Sequence, residues 1–178
     1  MKEINLSMEI RSQIIGVGSY LPQKIMKNDD LPAHLETSDE WITTRTGISQ
    51  RHIAAEGEMT SDLALASVKA ALQNAGVEAS TLDFILVATT SADHTFPACA
   101  VETQAKLGLR TGFAFDVQAV CSGFQYGLVL ADSLLKTGQA KRGAVIGAEI
   151  FSRIVDWQDR GSCILFGDGA GAVILQAE

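Results

Sequence analysis

Cys121 has the surroundings that best suit a nucleophilic side chain in this sequence. It lies in DVQAVCSGF, residues 116–124, where an apolar run ends, a short turn follows and a helical pattern begins at the cysteine. Unpaired backbone N–H groups at a helix N-terminus stabilise a thiolate placed there. Gly123 would leave space beside the thiol for a substrate. The segment predicts a thiol that accepts an acyl group, and the alternative interpretation is a buried, inert cysteine.

The two other cysteines have weaker surroundings. Cys163 lies in an apolar stretch and is expected to pack in the core. Cys99 follows Pro97 at the start of a predicted helix, but it lacks both the preceding strand and the neighbouring glycine. No CxxC pair occurs, so the sequence predicts neither a disulfide framework nor a zinc site. We therefore expect a reducing, cytoplasmic location.

Alternating strand and helix patterns must position Cys121. Residues 84–89 form a continuous apolar run, which is typical of a strand buried on both faces. A strand over 113–117 leads to Cys121, and the helix that follows extends to Gly138. Other segments of the same two kinds are a helix from Thr60 or Ser61 to Ala75 and strands at 143–147, 164–166 and 172–175. This alternation predicts an α/β domain with a mainly parallel sheet.

The overall composition excludes several classes of protein. The chain has 178 residues, a net charge of −7 and 47% hydrophobic residues, as expected for one globular domain. An acidic chain lacks the clustered Lys and Arg of a general nucleic-acid binder. No apolar run reaches the roughly 18–20 residues of a membrane span. Residues 1–11 carry charges of both signs and do not resemble a secretory signal.

Five segments carry a resemblance to a known family. DVQAVCSGF resembles the active-site segment of the β-ketoacyl-acyl-carrier-protein synthase III family, within the thiolase superfamily. Residues 37–51, which contain TSDEWI, RTGI and Arg51, are similar to the segment at the coenzyme A entrance of that family. Residues 90–108, which contain Phe96-Pro97, and the later signatures DRG at 159–161 and FGDGAG at 166–171 are the other matches. GDGAG has neither the GK[ST] ending nor the G-x-G-x-x-G spacing of nucleotide-binding loops, so we expect its glycines to allow close packing.

The resemblance implies a nucleotide site for coenzyme A (CoA). Trp41 and Arg160 would sandwich its adenine, and Thr37 and Arg45 would lie at the same site. A flat indole and a guanidinium are suited to such stacking. Taken without the resemblance, Trp41 could be a core aromatic residue, and both arginines could be solvated surface charges.

The resemblance also implies an acyl site and a dimer. Cys121 would take the acyl group from acyl-CoA. Phe96 would close the acyl pocket from the neighbouring subunit, and Phe166 would shape the pocket near the nucleophile. Simple packing is the alternative for Phe96. The implied activity is condensation of the acyl group with malonyl-acyl carrier protein (malonyl-ACP) at the start of fatty-acid synthesis, without a cofactor. Basic residues such as Lys136, Lys141 and Arg142 could contribute to carrier docking, or could be a solvated face.

The implied fold is thiolase-like, with two similar α/β halves stacked as αβαβα, and this chain corresponds to one half. Residues 1–10 would be an N-terminal extension and residues 11–178 the N-terminal thiolase-like domain, with a mainly parallel mixed sheet and helices on both faces. In the family, a histidine, an asparagine and one oxyanion-hole group belong to the second half. We therefore expect the chain to be part of a longer protein, and to expose apolar surface that the second half would cover.

Three other functions remain open. The chain could belong to a related synthase that uses CoA-bound extender units for quinolone-like or polyketide products. It could be a catalytically inactive half-domain that binds CoA or a partner chain, although retention of Cys121 with its turn and glycine argues against this. A cysteine hydrolase would need one of His34, His52 and His94 beside Cys121, and no segment places a base there.

Overall fold

The structure, a computed structural model, describes residues 10–178. Its strands and helices, in chain order, are β1 Ser12–Tyr20, β2 Lys24–Lys27, α1 Asp39–Thr46, β3 Gln50–Ile53, α2 Thr60–Ala75, β4 Phe84–Ala88, α3 Cys99–Lys106, β5 Phe113–Val117, α4 Gly123–Lys136, β6 Arg142–Ile150, α5 Arg160–Cys163 and β7 Asp168–Ala177. Five of the strands form one sheet in the order β1-β7-β6-β4-β5, and β2 and β3 form a separate pair.

The five-stranded sheet is mixed. β4 pairs in parallel with β5 and with β6, so Phe84 lies opposite Phe113 on one side and Gly143 on the other. β7 pairs antiparallel with β6 and with β1. All five residues of β4 are buried, as its continuous apolar run predicts. Because β4, β5 and β6 point the same way, their carboxyl ends meet at one edge of the sheet.

Helices cover both faces of this sheet. On one face, α2 and α3 contribute Leu63, Val68 and Cys99 to a core with strand residues such as Ile85 and Ile146. The backbone of α2 lies directly on β1, and a β-carbon on Gly16 would stand 2.5 Å from the carbonyl oxygen of Ala71. On the other face, α4 packs against β4 and β6. The buried residues of this second core are Phe84, Leu86, Ala131, Leu135, Ala140, Val145 and Leu175.

A smaller unit packs beside the end of the sheet. It consists of the β2–β3 pair together with α1 and α5, and its apolar cluster contains Ile42 of α1, Cys163 of α5 and Ile164. This cluster brings α1 and α5 together although they are far apart in the sequence. The unit therefore joins the 37–51 segment to the 159–161 segment.

The predicted α/β class, with a mixed sheet and helices on both faces, is confirmed. Two of its four strand pairings are parallel and two are antiparallel. The strand predicted at 164–166 is wrong, because Cys163 ends the short helix α5 and the next strand, β7, starts only at Asp168, so that Gly169 and Gly171 of GDGAG lie within it. Cys163 is nevertheless buried in a core, as expected. Most of the predicted N-terminal extension, residues 1–9, lies outside the described residues.

Candidate active site

Cys121 lies in a tight turn at the edge where the parallel strands end. β5 ends at Val117, a single turn of 3-10 helix spans Val120–Ser122, and α4 begins at Gly123. Cys121 therefore precedes the α-helix by two residues, where the sequence placed it as the first helical residue. Val120 has a φ of +48°, which is unusual for a β-branched residue and indicates local strain. This turn presents an exposed thiol.

An open cavity of about 370 Å³ adjoins the thiol. Small residues from the ends of β4, β6 and β7 form much of its wall, together with Leu21, Val120 and Phe124. The full lining is Leu21, Ala88, Val120, Cys121, Phe124, Gly147, Ala148, Glu149, Gly169, Ala170 and Gly171. Most of these side chains are apolar or absent, so the space beside the sulfur suits a short acyl group.

Gly123 has a different role from the one that the sequence suggested. A β-carbon at this position would stand 3.2 Å from the β-carbon of Ala88 and 3.6 Å from the carbonyl oxygen of Val117. The space beside Gly123 is thus occupied by β4 and is not available to a substrate. The glycine allows the first turn of α4 to pack closely against the sheet.

The strand ends around the cavity are joined by the carboxylate of Glu149, which sequence reasoning missed. This carboxylate accepts hydrogen bonds from the backbone N–H of Thr90, at 2.8 Å, and of Ser91, at 3.1 Å. It also accepts from the hydroxyl groups of both residues and, at 3.5 Å, from that of Thr89. Because these donors occupy the carboxylate, Glu149 acts here as a hydrogen-bonded anchor for the chain that leaves β4.

The same loop leads to Phe96, whose side chain is 87% exposed. Asp116 of β5 accepts the N–H groups of Cys99 and Ala100, at 2.8 and 2.7 Å, and so caps α3 just after this loop. Asp93 accepts the N–H of Ser61 at 3.0 Å. An ordered framework therefore presents an aromatic side chain to solvent.

None of the three histidines lines the Cys121 cavity. His94 lines a separate cavity of about 540 Å³ with Asp116 and Gln118. The Nδ1 atom of His52 lies 2.5 Å from the carbonyl oxygen of Pro22. The structure therefore gives Cys121 no histidine base among residues 10–178, and the cysteine hydrolase alternative loses its support.

Two arginines approach the ring of Trp41 in the smaller unit. The guanidinium carbon of Arg45 is 4.3 Å from the ring centroid, and that of Arg160 is 4.8 Å from it. Arg45 also donates to the carbonyl oxygen of Trp41, and Arg160 donates to that of Glu36. The N-cap of α1 is Ser38, whose hydroxyl accepts the N–H of Trp41, so Thr37 lies one residue before the cap.

The chain is similar to known condensing enzymes, and many of them are synthase III proteins. The family model described as 3-Oxoacyl-[acyl-carrier-protein (ACP)] synthase III matches residues 115–178. A β-ketoacyl-[acyl-carrier-protein] synthase III of Ehrlichia canis is 59% identical over 94% of this chain and 52% of its own length, and that of Rhodospirillum centenum is 60% identical over 96% and 53%. The solved 3-oxoacyl-[acyl-carrier-protein] synthase III of Aquifex aeolicus is 48% identical, with a TM-score of 0.89 over 93% of this chain and 53% of that one.

The chain belongs to the β-ketoacyl-acyl-carrier-protein synthase III family. It spans about half the length of the curated relatives that it matches, and it corresponds to their N-terminal half. The priming β-ketosynthase of the R1128 polyketide pathway is also similar, at 33% identity with a TM-score of 0.90 over 94% of this chain and 50% of that one. The thiolase-like fold implied by the sequence is thereby confirmed.

The residues singled out from the synthase III resemblance fall into separate groups. Trp41, Arg45 and Arg160 form the stacked cluster, with Thr37 just before the N-cap of α1. Cys121 lines its own cavity. Phe166 stacks on Phe151 at a centroid distance of 4.2 Å, and neither ring is among the residues that line that cavity. Phe96 is exposed on its loop. Within this half, the structure thus places the stacked cluster and the thiol in distinct sites.

The basic residues suggested for carrier docking lie away from the thiol. Lys136 ends α4 and pairs with Asp132 at 3.0 Å, while Arg142 begins β6 and bonds to Gln176. Cys121 lies at the opposite, carboxyl end of the parallel strands. At about 3.3 Å per residue, the nine residues of β6 span roughly 30 Å. The solvated-face interpretation therefore describes these residues better.

Two further features concern ions and membranes. Among residues 10–178, no group of three or more His, Cys, Asp or Glu side chains could hold a metal ion. None of the helices in that range combines the length and apolar character of a membrane span.

The buried carboxylate of Asp168 is bonded to the N–H of Ala54, at 2.7 Å, and to the N–H and hydroxyl of Ser152.

Proposed function

We propose that this chain supplies the nucleophile and the CoA-binding surface of an acyltransferase that initiates fatty-acid synthesis. The observation that carries the proposal is the exposed Cys121, which lines an apolar cavity at the strand ends while Cys99 and Cys163 are buried. Identity of about 60% to synthase III relatives supports the same reaction. The reaction uses acyl-CoA as a substrate and needs no cofactor.

The first step is transfer of the acyl group to Cys121. The thiolate sulfur attacks the carbonyl carbon of acyl-CoA, a new C–S bond forms, and the bond to the CoA sulfur breaks. CoA leaves as its thiol after taking up a proton. The small residues around the thiol leave room for the acyl chain.

The second step is condensation with malonyl-ACP. The malonyl group loses carbon dioxide, and the resulting enolate attacks the carbonyl carbon of the acyl-cysteine. A C–C bond forms, the Cys121 thiolate leaves, and the product is 3-oxoacyl-ACP. We assign stabilisation of the enolate to a histidine and an asparagine of the second half, since no histidine lines the Cys121 cavity.

We propose that CoA binds at the Trp41 cluster, with its adenine between Trp41 and Arg160. Thr37 and Arg45 flank this position. An adenine needs about 3.5–4 Å on each side, so its two neighbours must be roughly 7–8 Å apart. The observed distance from Arg160 to the Trp41 centroid is 4.8 Å. Arg160 must therefore swing away from the indole when the nucleotide enters.

Two exposed apolar surfaces support the proposed assembly of residues 11–178, the N-terminal domain, with other chains or domains. Phe113 and Phe115 are exposed at the β5 edge of the sheet. We propose that this edge faces a second subunit. The acyl pocket of that subunit would also receive Phe96 of this chain. On α4, Tyr126, Val129 and Leu130 are exposed, and we propose that the second half of the thiolase-like fold covers them.

We place the homodimer in the cytoplasm and assign it no nucleic-acid or membrane partner.

Two alternatives are tested together with this proposal. The 33% identity to a priming polyketide ketosynthase favours, as a second candidate, a synthase that uses CoA-bound extender units. An inactive half-domain that binds CoA or a partner chain would retain the Trp41 cluster, but would not need an accessible thiol.

The test is intact-mass spectrometry after incubation with acetyl-CoA and longer acyl-CoAs. We expect an acyl adduct that maps to Cys121, that Cys121→Ala abolishes and that the buried-thiol control Cys163→Ala retains. An adduct only on a chain extended by the second half of a relative would mean that this half shapes the site. Absence of an adduct from both forms would overturn the acyltransferase proposal and favour the binding module. Malonyl-CoA in place of malonyl-ACP then tests the second candidate.

A further inference from the structure

Arg51 is a buried cation that none of the steps above uses. Only 5% of the residue is exposed, and its Nη2 atom donates to the side-chain oxygen of Asn28, at 2.8 Å, and to the carbonyl oxygen of Ile164, at 3.1 Å. Its Nε and Nη1 atoms have no hydrogen-bond partner within residues 10–178. Burial lowers the pKa of the guanidinium below its usual value. Holding such a group inside an apolar cluster costs folding free energy.

Asn28 continues the same network on the other side. It is 2% exposed, and its Nδ2 atom donates to the carboxylate of Asp39, at 2.8 Å, and to the carbonyl oxygen of Ile48, at 2.7 Å. Arg51 and Asn28 thus form a buried bridge from Ile164 to Asp39. The four hydrogen bonds of this bridge are donated by side-chain nitrogens of two buried residues.

The two ends of the buried bridge belong to the two elements that carry the Trp41 cluster. Asp39 is the first residue of α1, which carries Trp41 and Arg45. Ile164 is the C-cap of α5, the helix that begins at Arg160. A four-residue helix cannot fix its own orientation, because it closes too few internal hydrogen bonds. The guanidinium at its carboxyl end supplies both a donor and a favourable charge.

We propose that Arg51 and Asn28 are positioning residues that hold α1 and α5 in register, so that Trp41 and Arg160 face each other across the nucleotide site. The identity of the nucleotide as CoA rests on the proposed function. Neither residue touches the stacked cluster through any described hydrogen bond, so both act through the helices. This arrangement buries a charge that is incompletely hydrogen-bonded, which costs folding free energy. A purely apolar cluster would pack α1 against α5 without that cost.

The experiment follows Trp41 and CoA separately. The background is Trp157→Phe, which leaves Trp41 as the remaining tryptophan of the chain. In this background, Arg51→Met, Arg51→Lys and Asn28→Asp are compared with Arg110→Met, a matched change at an exposed arginine. Near-ultraviolet circular dichroism reports the packing around Trp41, and calorimetry gives the dissociation constant for CoA. Far-ultraviolet circular dichroism establishes that each variant is folded.

We expect Arg51→Met to change the Trp41 spectrum and to weaken CoA binding roughly tenfold, the effect of losing one or two hydrogen bonds to a charged group. Arg51→Lys should recover part of both signals, because an ammonium group can reach the same acceptors. If Arg51→Met does not fold, Asn28→Asp decides the question. Its carboxylate keeps a partner in Arg51 but repels Asp39, so it should release α1 and give the same two changes.

The outcomes separate the two proposals. A changed Trp41 spectrum in a chain that never binds CoA would support the buried bridge and overturn the CoA site. Binding of CoA with equal affinity by wild type, Arg51→Lys and Asn28→Asp, with unchanged Trp41 spectra, would overturn the buried bridge alone. Arg110→Met should match wild type in both measurements.

Discussion

The α-carbon of Gly123 stands so close to Ala88 that an added β-carbon would approach the β-carbon of Ala88 to 3.2 Å. Such a separation is shorter than ordinary van der Waals contact between carbon atoms. Gly123 is the first residue of α4, and Ala88 is the last residue of β4. The thiol of Cys121 lies two residues before this contact. The geometry of the nucleophile therefore depends on how closely α4 can approach the sheet.

Gly123→Ala is expected to lower the free energy of unfolding by about 1–3 kcal/mol, the usual cost of overpacking a well-packed site. The helix start must shift by a few tenths of an ångström, so acyl transfer to Cys121 should also slow. Urea unfolding and the rate of adduct formation measure the two effects. Gly171→Ala is the stability control, because a β-carbon there would meet nothing within 4 Å. Equal stability of Gly123→Ala and wild type would contradict the prediction.

The Glu149 anchor predicts local loosening in Glu149→Gln. The amide places an NH2 group against donors, so at least one of the Thr90 and Ser91 N–H groups loses its acceptor. A lost bond of this kind costs about 1–3 kcal/mol. Hydrogen exchange should accelerate at these two amides before it changes in β4. Glu78→Gln, at an exposed residue, is the control. Protection that stays at the wild-type level in Glu149→Gln would show that the loop does not need the carboxylate.

Thiol accessibility predicts a simple labelling pattern. Cys121 is exposed, whereas Cys99 and Cys163 are fully buried, and burial raises the pKa of both buried thiols. We expect iodoacetamide near neutral pH to add one group to the folded chain and three groups after denaturation. Peptide mapping should place the first group on Cys121. Rapid labelling of Cys163 in the folded chain would contradict the packing of α5 against α1.

Local sequence patterns predict the elements around Cys121 well. The apolar run of β4, the strand β5 and the helix after Cys121 each follow from a short stretch of sequence, because burial and period act locally. Helix α2 illustrates the limit of such reasoning. Its bounds follow from the sequence, but its buried face includes Ala64, Ser67 and Ala71, because these small residues let α2 lie against the glycines of β1.

Residues that act over long distances in the sequence could not be found in this way. Glu149 bonds to residues about 60 positions earlier, and Arg51 bonds to Ile164, which is 113 positions later. A polar residue within an apolar run, such as Glu149 in β6, is the signal that could have indicated a buried anchor. Nothing in the local pattern around Arg51 separates a buried cation from a surface charge. The resemblance to the family located the Trp41 cluster, which spacing alone would have left as a surface helix.

The buried thiol of Cys99 predicts a loss of stability in mildly alkaline solution. Burial, together with the nearby Asp93 and Asp116 carboxylates, raises the pKa of Cys99 well above its usual value of 9.0. The folded chain keeps this proton while the unfolded chain releases it, so the stabilisation is complete below pH 9 and is lost as the pH rises above 9. The slope approaches about 1.4 kcal/mol per pH unit for one such group.

Urea midpoints between pH 8 and pH 10 measure this dependence. Cys99→Ala should flatten the profile, leaving the contribution of Cys163, whose pKa burial also raises. Cys121→Ala is the control with an exposed thiol, and it should keep the wild-type slope because it leaves the buried thiol of Cys99 in place. A profile for Cys99→Ala as steep as that of wild type would place the alkaline instability in another group.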